Sequence, residues 1–221
     1  MVNQIHIIGP FNTGTNLMFK IINNSECIDT ITNTIITTND TSNVHNPFNK
    51  HILNMSVFEN YLNNPDNLLI IMYKNIYNWL YSIKKESYDI TYTKLYLPVE
   101  LYGKQHTNMI ELYNYYYVNY MSILERYKNV IFIDYRKIID CSTSYDYINN
   151  KIKPFNLRLS SYDKFYKTLM TKAKDHGNPV SNSNEANEKY LVNRKLVQSF
   201  LECKPLFKKS IKNMLLNYFE N

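Results

Sequence analysis

Cysteine, glycine, long apolar runs and runs of like charge are all scarce in this chain of 221 residues. The three cysteines, Cys27, Cys141 and Cys203, are far apart, odd in number and form no C-x-x-C pair. That gives no basis for a disulfide framework or a zinc site, and a reducing compartment is expected. No apolar run approaches the roughly 20 residues of a membrane span, and the N-terminus enters a strand without a signal peptide. The expectation is a soluble, cytoplasmic protein with no membrane span. The net charge of +6 comes mostly from scattered lysines, whereas a nucleic-acid binder would gather them on one face or tail. No nucleic-acid partner is expected. A basic pocket for a multiply anionic small molecule accommodates the same charge.

Only 4 Gly stand against 21 Tyr, and Asn, Ile and Lys are abundant, which points to codon bias in an AT-rich genome. Tyr-rich and Asn-rich stretches are therefore not read as stacking or prion-like signals. With 44% hydrophobic and 20% charged residues the chain is globular. Its length suits one domain over 1–221, with a core in about 1–140 and a helical C-terminal portion in about 141–221.

The most informative stretch runs from Ile5 to Ile22. An apolar run breaks at Gly9-Pro10 and resumes after Gly14, with Leu17, Met18, Ile21 and Ile22 on one helical face. Strand, tight loop and helix follow one another, so backbone N–H groups and the positive helix end converge on a spot that suits an anion. Gly9 and Gly14 keep the glycine spacing of an NTP-hydrolysing P-loop, but Thr15 and Asn16 replace its Lys-[Ser/Thr] pair. The phosphate cradle is present without the metal-dependent machinery, and no metal is expected.

Further along, Cys27–Thr38 can hold a second strand and Asn39–Asn49 reads as a polar loop. A helix is predicted over Ile52–Leu62, and Leu68–Tyr73 is the continuous apolar run of a strand buried on both faces. A second helix-forming stretch begins at Ile76, and Tyr88–Gln105 reads as a long surface loop. Thr107–Tyr127 predicts a long amphipathic helix whose tyrosines pack in the core, and Val130–Asp134 another buried strand. Two weaker helices and C-terminal helices over Asn187–Phe219 complete the pattern. Strands alternating with helices predict an α/β fold: three layers, P-loop-like, with a central parallel sheet flanked by helices and the ligand at the strands' C-terminal edge.

A second phosphate-like signal is Lys74, at the end of the buried strand, with Ser82 eight residues on and about two helical turns away. Taken with Gly9–Leu17, the stretch Leu69–Ser82 resembles the sulfotransferase family, which uses 3′-phosphoadenosine 5′-phosphosulfate. Leu112-Tyr113-Asn114-Tyr115-Tyr116 and Asn129–Tyr135 are similar to a further helix and strand of that family, so the likeness covers roughly 5–140. The resemblance implies a carbohydrate-sulfotransferase-like enzyme that moves a sulfuryl group to a hydroxyl of a carbohydrate or small molecule. It implies that Asn12, Thr13, Gly14, Thr15 and Asn16 cradle the 5′-phosphosulfate and that Lys74 and Ser82 grip the 3′-phosphate. Lys172, Lys174 and His176 resemble the basic segment that covers the 3′-phosphate. Lys50-His51 is similar to a Lys-His pair of carbohydrate-directed relatives, with His51 as the base and Lys50 aimed at the phosphosulfate; His45 is the next candidate base. His6 reads as structural, and His106 has no supporting context.

The chain also departs from the family pattern. Asn12 stands where cytosolic members carry Lys, Lys74 where they carry Arg, and Asp134 and Arg136 where they carry Arg and Glu. Two other readings therefore stay open. One is a non-catalytic relative that binds the product nucleotide, 3′-phosphoadenosine 5′-phosphate. The other is a P-loop kinase or NTPase with Asp134 as a magnesium ligand, which the missing Lys-[Ser/Thr] pair opposes.

Overall fold

β-branched and apolar residues crowd two segments, Gln4–Ile8 (β1) and Asn67–Tyr73 (β3), and these form the centre of the sheet. A computed structural model describes residues 2–23, 35–37, 51, 53–85, 97–101, 103–170, 188, 191–192 and 195. Ile35–Thr37 (β2) pairs parallel to one side of β1, β3 pairs parallel to the other, and Val130–Asp134 (β6) pairs parallel to β3. The order β2-β1-β3-β6 means the chain leaves β1 in one direction and returns on its other flank. The crevice at the C-terminal ends of β1 and β3 is thus the switch point, where open α/β sheets bind ligands.

All seven residues of β3 are buried, because helices cover both faces of the sheet. Leu69, Ile71 and Tyr73 pack with Met55–Leu62 (α2), Ile76–Lys85 (α3) and Met109–Arg126 (α4). Leu68, Ile70 and Met72 face the opposite core, with Thr15–Asn23 (α1), Tyr135–Ile139 (α5), Ser144–Ile152 (α6) and Tyr162–Met170 (α7). The strand's two-residue period sends alternate side chains into the two cores. The fold is α/β with a parallel sheet between helical layers. Among the described residues no helix is long and apolar enough to cross a membrane.

Three expectations are corrected. The stretch 88–105 is not loop throughout: Val99–Leu101 (β4) and Lys104–His106 (β5) form an antiparallel hairpin. Gly103, at φ +74°, makes its turn, and Val99 and Leu101 bury against the α4 side; three residues are too few to show a strand period. The helix expected from Ile52 begins at Met55, because Asn54 accepts a hydrogen bond from the Val57 N–H and acts as its N-cap. Between β6 and residue 170 the described residues form three α-helices and a 3-10 turn at Lys153–Phe155, where two helices were expected. His6 of β1 is buried, its ring 6.0 Å from that of Tyr61 in α2, centre to centre.

One side chain ties the sheet to its helices. The Asn129 amide, just before β6, donates to Leu62 O at 3.1 Å, Asn64 O at 3.1 Å and Asn67 O at 2.8 Å. It fixes the turn between α2 and β3 against the start of the neighbouring strand. Asn129→Ala is expected to destabilise the protein by about 1–3 kcal/mol, since buried carbonyls lose their donor. Urea unfolding should show a lower midpoint with an unchanged slope.

Candidate functional site

The loop between β1 and α1 owes its shape to four residues. Gly9 lies so close to β3 that an added Cβ would sit 2.5 Å from Thr13 Oγ1 and 3.0 Å from Met72 Cβ. Asn12 has φ 59° and Gly14 φ +90°, the left-handed region that Gly and Asn adopt most readily. Thr13 is fully buried, and its hydroxyl donates to Pro10 O at 2.7 Å, closing the turn from within. Thr15 opens α1 and is also buried, and Asn16 follows, half-buried. The chain then turns helical, with Met18 N–H bonding to Gly14 O at 3.0 Å. The loop thus ends on the N-terminus of α1, whose first N–H groups have no helical acceptors.

Lys74 emerges from the end of β3 beside this loop. Its Nζ donates to Ser82 Oγ at 2.8 Å and to Asn12 O at 3.0 Å, and lies 4.4 Å from the centre of the Tyr135 ring. The expected Lys74–Ser82 pair is therefore formed, and the same ammonium reaches across to the first loop. Ser82 in turn donates to Asn78 O. Asn78 shares this face of α3; it is buried, and its Nδ2 has no hydrogen-bond partner among the described residues. Lys74 is only 7% exposed, and burial pulls its pKa down to about 7.

His51 also meets the loop. Its Nδ1 lies 2.8 Å from Gly9 O, and its ring lies 4.3 Å from that of Phe11, centre to centre. A carbonyl only accepts, so Nδ1 carries the proton, and in the neutral ring the lone pair is on Nε2. Lys50, His45, Lys172, Lys174 and His176 lie outside the described residues. Asp134 serves α5, accepting the Arg136 N–H at 2.9 Å as its N-cap.

Several contributors to the site carry no phosphate-like signal of their own in the sequence. Tyr135 packs on the loop, its ring 2.6 Å from where a Cβ on Gly14 would be. Trp79 Nε1 donates to Phe11 O at 2.6 Å. Tyr113 of α4 donates to Lys74 O at 2.9 Å, Tyr117 to Met72 O at 3.1 Å and Tyr116 to His51 O. The available signal was tyrosine, instead of phenylalanine or leucine, on a buried helix face: a buried hydroxyl needs a partner.

The depressed Lys74 pKa gives a signed prediction. Its folded value, about 7, lies below the ordinary 10.5, so from pH 7 to 10 the unfolded chain binds more protons there. Lys74 therefore costs least at high pH, and its penalty grows as pH falls toward 7. The unfolding free energy of the wild type relative to Lys74→Met should rise steadily across that window, as read by urea titrations at successive pH values; a flat difference would contradict the buried, deprotonating amine.

Compared with protein-family models, curated proteins and solved structures, the chain finds no match.

Proposed function

We propose that this protein is a sulfotransferase with a P-loop-like fold, taking its sulfuryl group from 3′-phosphoadenosine 5′-phosphosulfate. The observation that carries the reading is the Lys74 ammonium, bonded to both Ser82 Oγ and the Asn12 carbonyl of the glycine loop. It makes two sequence signals 62 residues apart into one site. An adenosine with anions on both its 3′ and 5′ sides would meet donors of both kinds there: the N-terminus of α1 and loop amides on one side, Lys74 and Ser82 on the other. The buried amide of Asn78 adds a further donor on the same face.

In this reading His51 is the base. Its Nδ1–H is held by Gly9 O, which orients the ring as the third member of a triad orients its histidine. The acceptor oxygen forms the new S–O bond and gives its proton to Nε2. The S–O bond to the phosphate breaks, and the leaving phosphate keeps the electron pair. Donors already fixed at the loop stabilise that developing charge.

A second reading, a non-catalytic relative that binds the product nucleotide, is favoured by Asn12. Its left-handed backbone suits asparagine and leaves that position without the family's cation. Binding and turnover separate the two readings.

The nucleotide test is calorimetric titration with 3′-phosphoadenosine 5′-phosphate and AMP. The former should bind much more tightly, and Lys74→Ala should weaken it at least about tenfold, since charge-assisted contacts contribute about 1.5–3 kcal/mol. Equal affinities for the two nucleotides would rule out the sulfotransferase reading. For catalysis, His51→Ala should lower turnover about 10²–10⁴-fold with little change in nucleotide affinity. Tight product binding with no sulfuryl transfer to any hydroxyl would instead favour the non-catalytic reading.

A further inference from the structure

Beyond His51 the chain runs into a second cavity. The His51 carbonyl accepts a hydrogen bond from Tyr116, and Tyr116 lines a pocket of about 440 Å³ with Leu53, Leu112, Tyr115, Lys104 and His106. That volume falls in the range of small-molecule sites. Tyr116 thus links the pocket it lines to His51, whose ring meets the glycine loop.

The lining has a definite chemistry. His106, at the end of β5, is only 3% exposed, and its ring lies 5.1 Å from that of Tyr115, centre to centre. Neither ring nitrogen takes part in a hydrogen bond among the described residues. Burial holds its pKa below the ordinary histidine value, so near neutral pH the ring is chiefly uncharged and offers one donor and one acceptor. A buried polar ring that borders a cavity with no hydrogen bond among the described residues is a site a ligand can complete.

Lys104 stands beside it, its Nζ 3.6 Å from the centre of the Tyr115 ring and exposed to solvent. No acidic side chain is among the residues lining the pocket. Glu111 is the nearby carboxylate, and it accepts the Thr107 N–H at the start of α4. It also acts through its charge on His106 and Lys104, so an anion in the pocket competes with it for them. The N-terminus of α2, capped by Asn54, also borders the cavity and adds a positive potential. Leu53 and Leu112 supply an apolar wall for a carbon skeleton.

We propose that this pocket binds a small hydroxylated organic anion, with its carboxylate or equivalent group held by Lys104 and His106, and that this molecule is the acceptor of the transfer. The acceptor role rests on the sulfotransferase reading; the ligand class rests on the pocket alone. The anionic end is anchored at β5, and the hydroxyl end lies toward Tyr116, whose own hydroxyl bonds to the His51 carbonyl.

The test is equilibrium binding by protein-observed NMR with two matched pairs of probes: 4-hydroxybenzoate against 4-hydroxybenzamide, and glucuronate against glucose. In at least one pair the anion should bind about tenfold more tightly than its uncharged counterpart, the worth of one charge-assisted contact. Lys104→Ala should abolish that preference, and His106→Gln should weaken binding of the anion. Both variants should bind 3′-phosphoadenosine 5′-phosphate as the wild type does. If neither anion is preferred, or the preference survives both substitutions, the proposal is overturned even where the nucleotide binds. If the anion binds through Lys104 but the nucleotide does not bind at all, the acceptor role is overturned together with the sulfotransferase reading.

Discussion

A buried ammonium group must be hydrogen-bonded or lose its proton, and Lys74 meets that constraint at the centre of this molecule. Its partners come from two places in the chain: Ser82 one helix further on, and Asn12 in the first loop. Both are within reach only because β1 and β3 are adjacent and in parallel register, Ile8 opposite Ile71. The loop conformation, the helix that follows β3 and the ring of Tyr135 are all arranged around the same group. When an anion is bound beside it, the cost of burying this charge falls, so the group that weakens the free fold is the one that would favour a negatively charged ligand.

The tyrosines of α4 solve a related problem. The C-terminal end of β3 and His51, upstream of α2, present carbonyls toward an apolar helix layer. Tyr113, Tyr116 and Tyr117 deliver hydroxyls to Lys74 O, His51 O and Met72 O while their rings fill the core. A helix of leucines would fill the same space and leave those carbonyls without these donors. The aromatic wealth of the chain is thus given structural work by position.

The loop itself divides labour between backbone and side chains. Thr13 and Gly9 shape it from inside, and Asn12 and Gly14 supply its left-handed turns. What remains to face a ligand is the N-terminus of α1, the neighbouring Lys74, and the His51 ring fixed by Gly9 O. Asparagine at position 12 thus has a conformational reason, its left-handed backbone.

By itself the sequence determined whatever depends on short spacing. The seven-residue apolar run of β3, the two glycines of the loop and the eight-residue step from Lys74 to Ser82 are local patterns, and local geometry makes them readable. The β4–β5 hairpin was not readable, because its strands are too short to show a period and it is held by packing on α4. The two phosphate-like signals were joined in the sequence only through the family resemblance, not by any local pattern. The bonds from Lys74 to Asn12, from Trp79 to Phe11 and from His51 to Gly9 span 62, 68 and 42 residues. The same is true of His106, which has no motif around it and becomes a candidate ligand contact only because β5 brings it against α4 and a cavity. Only the order and register of the sheet decide such contacts, since a parallel strand takes its neighbours from distant parts of the chain.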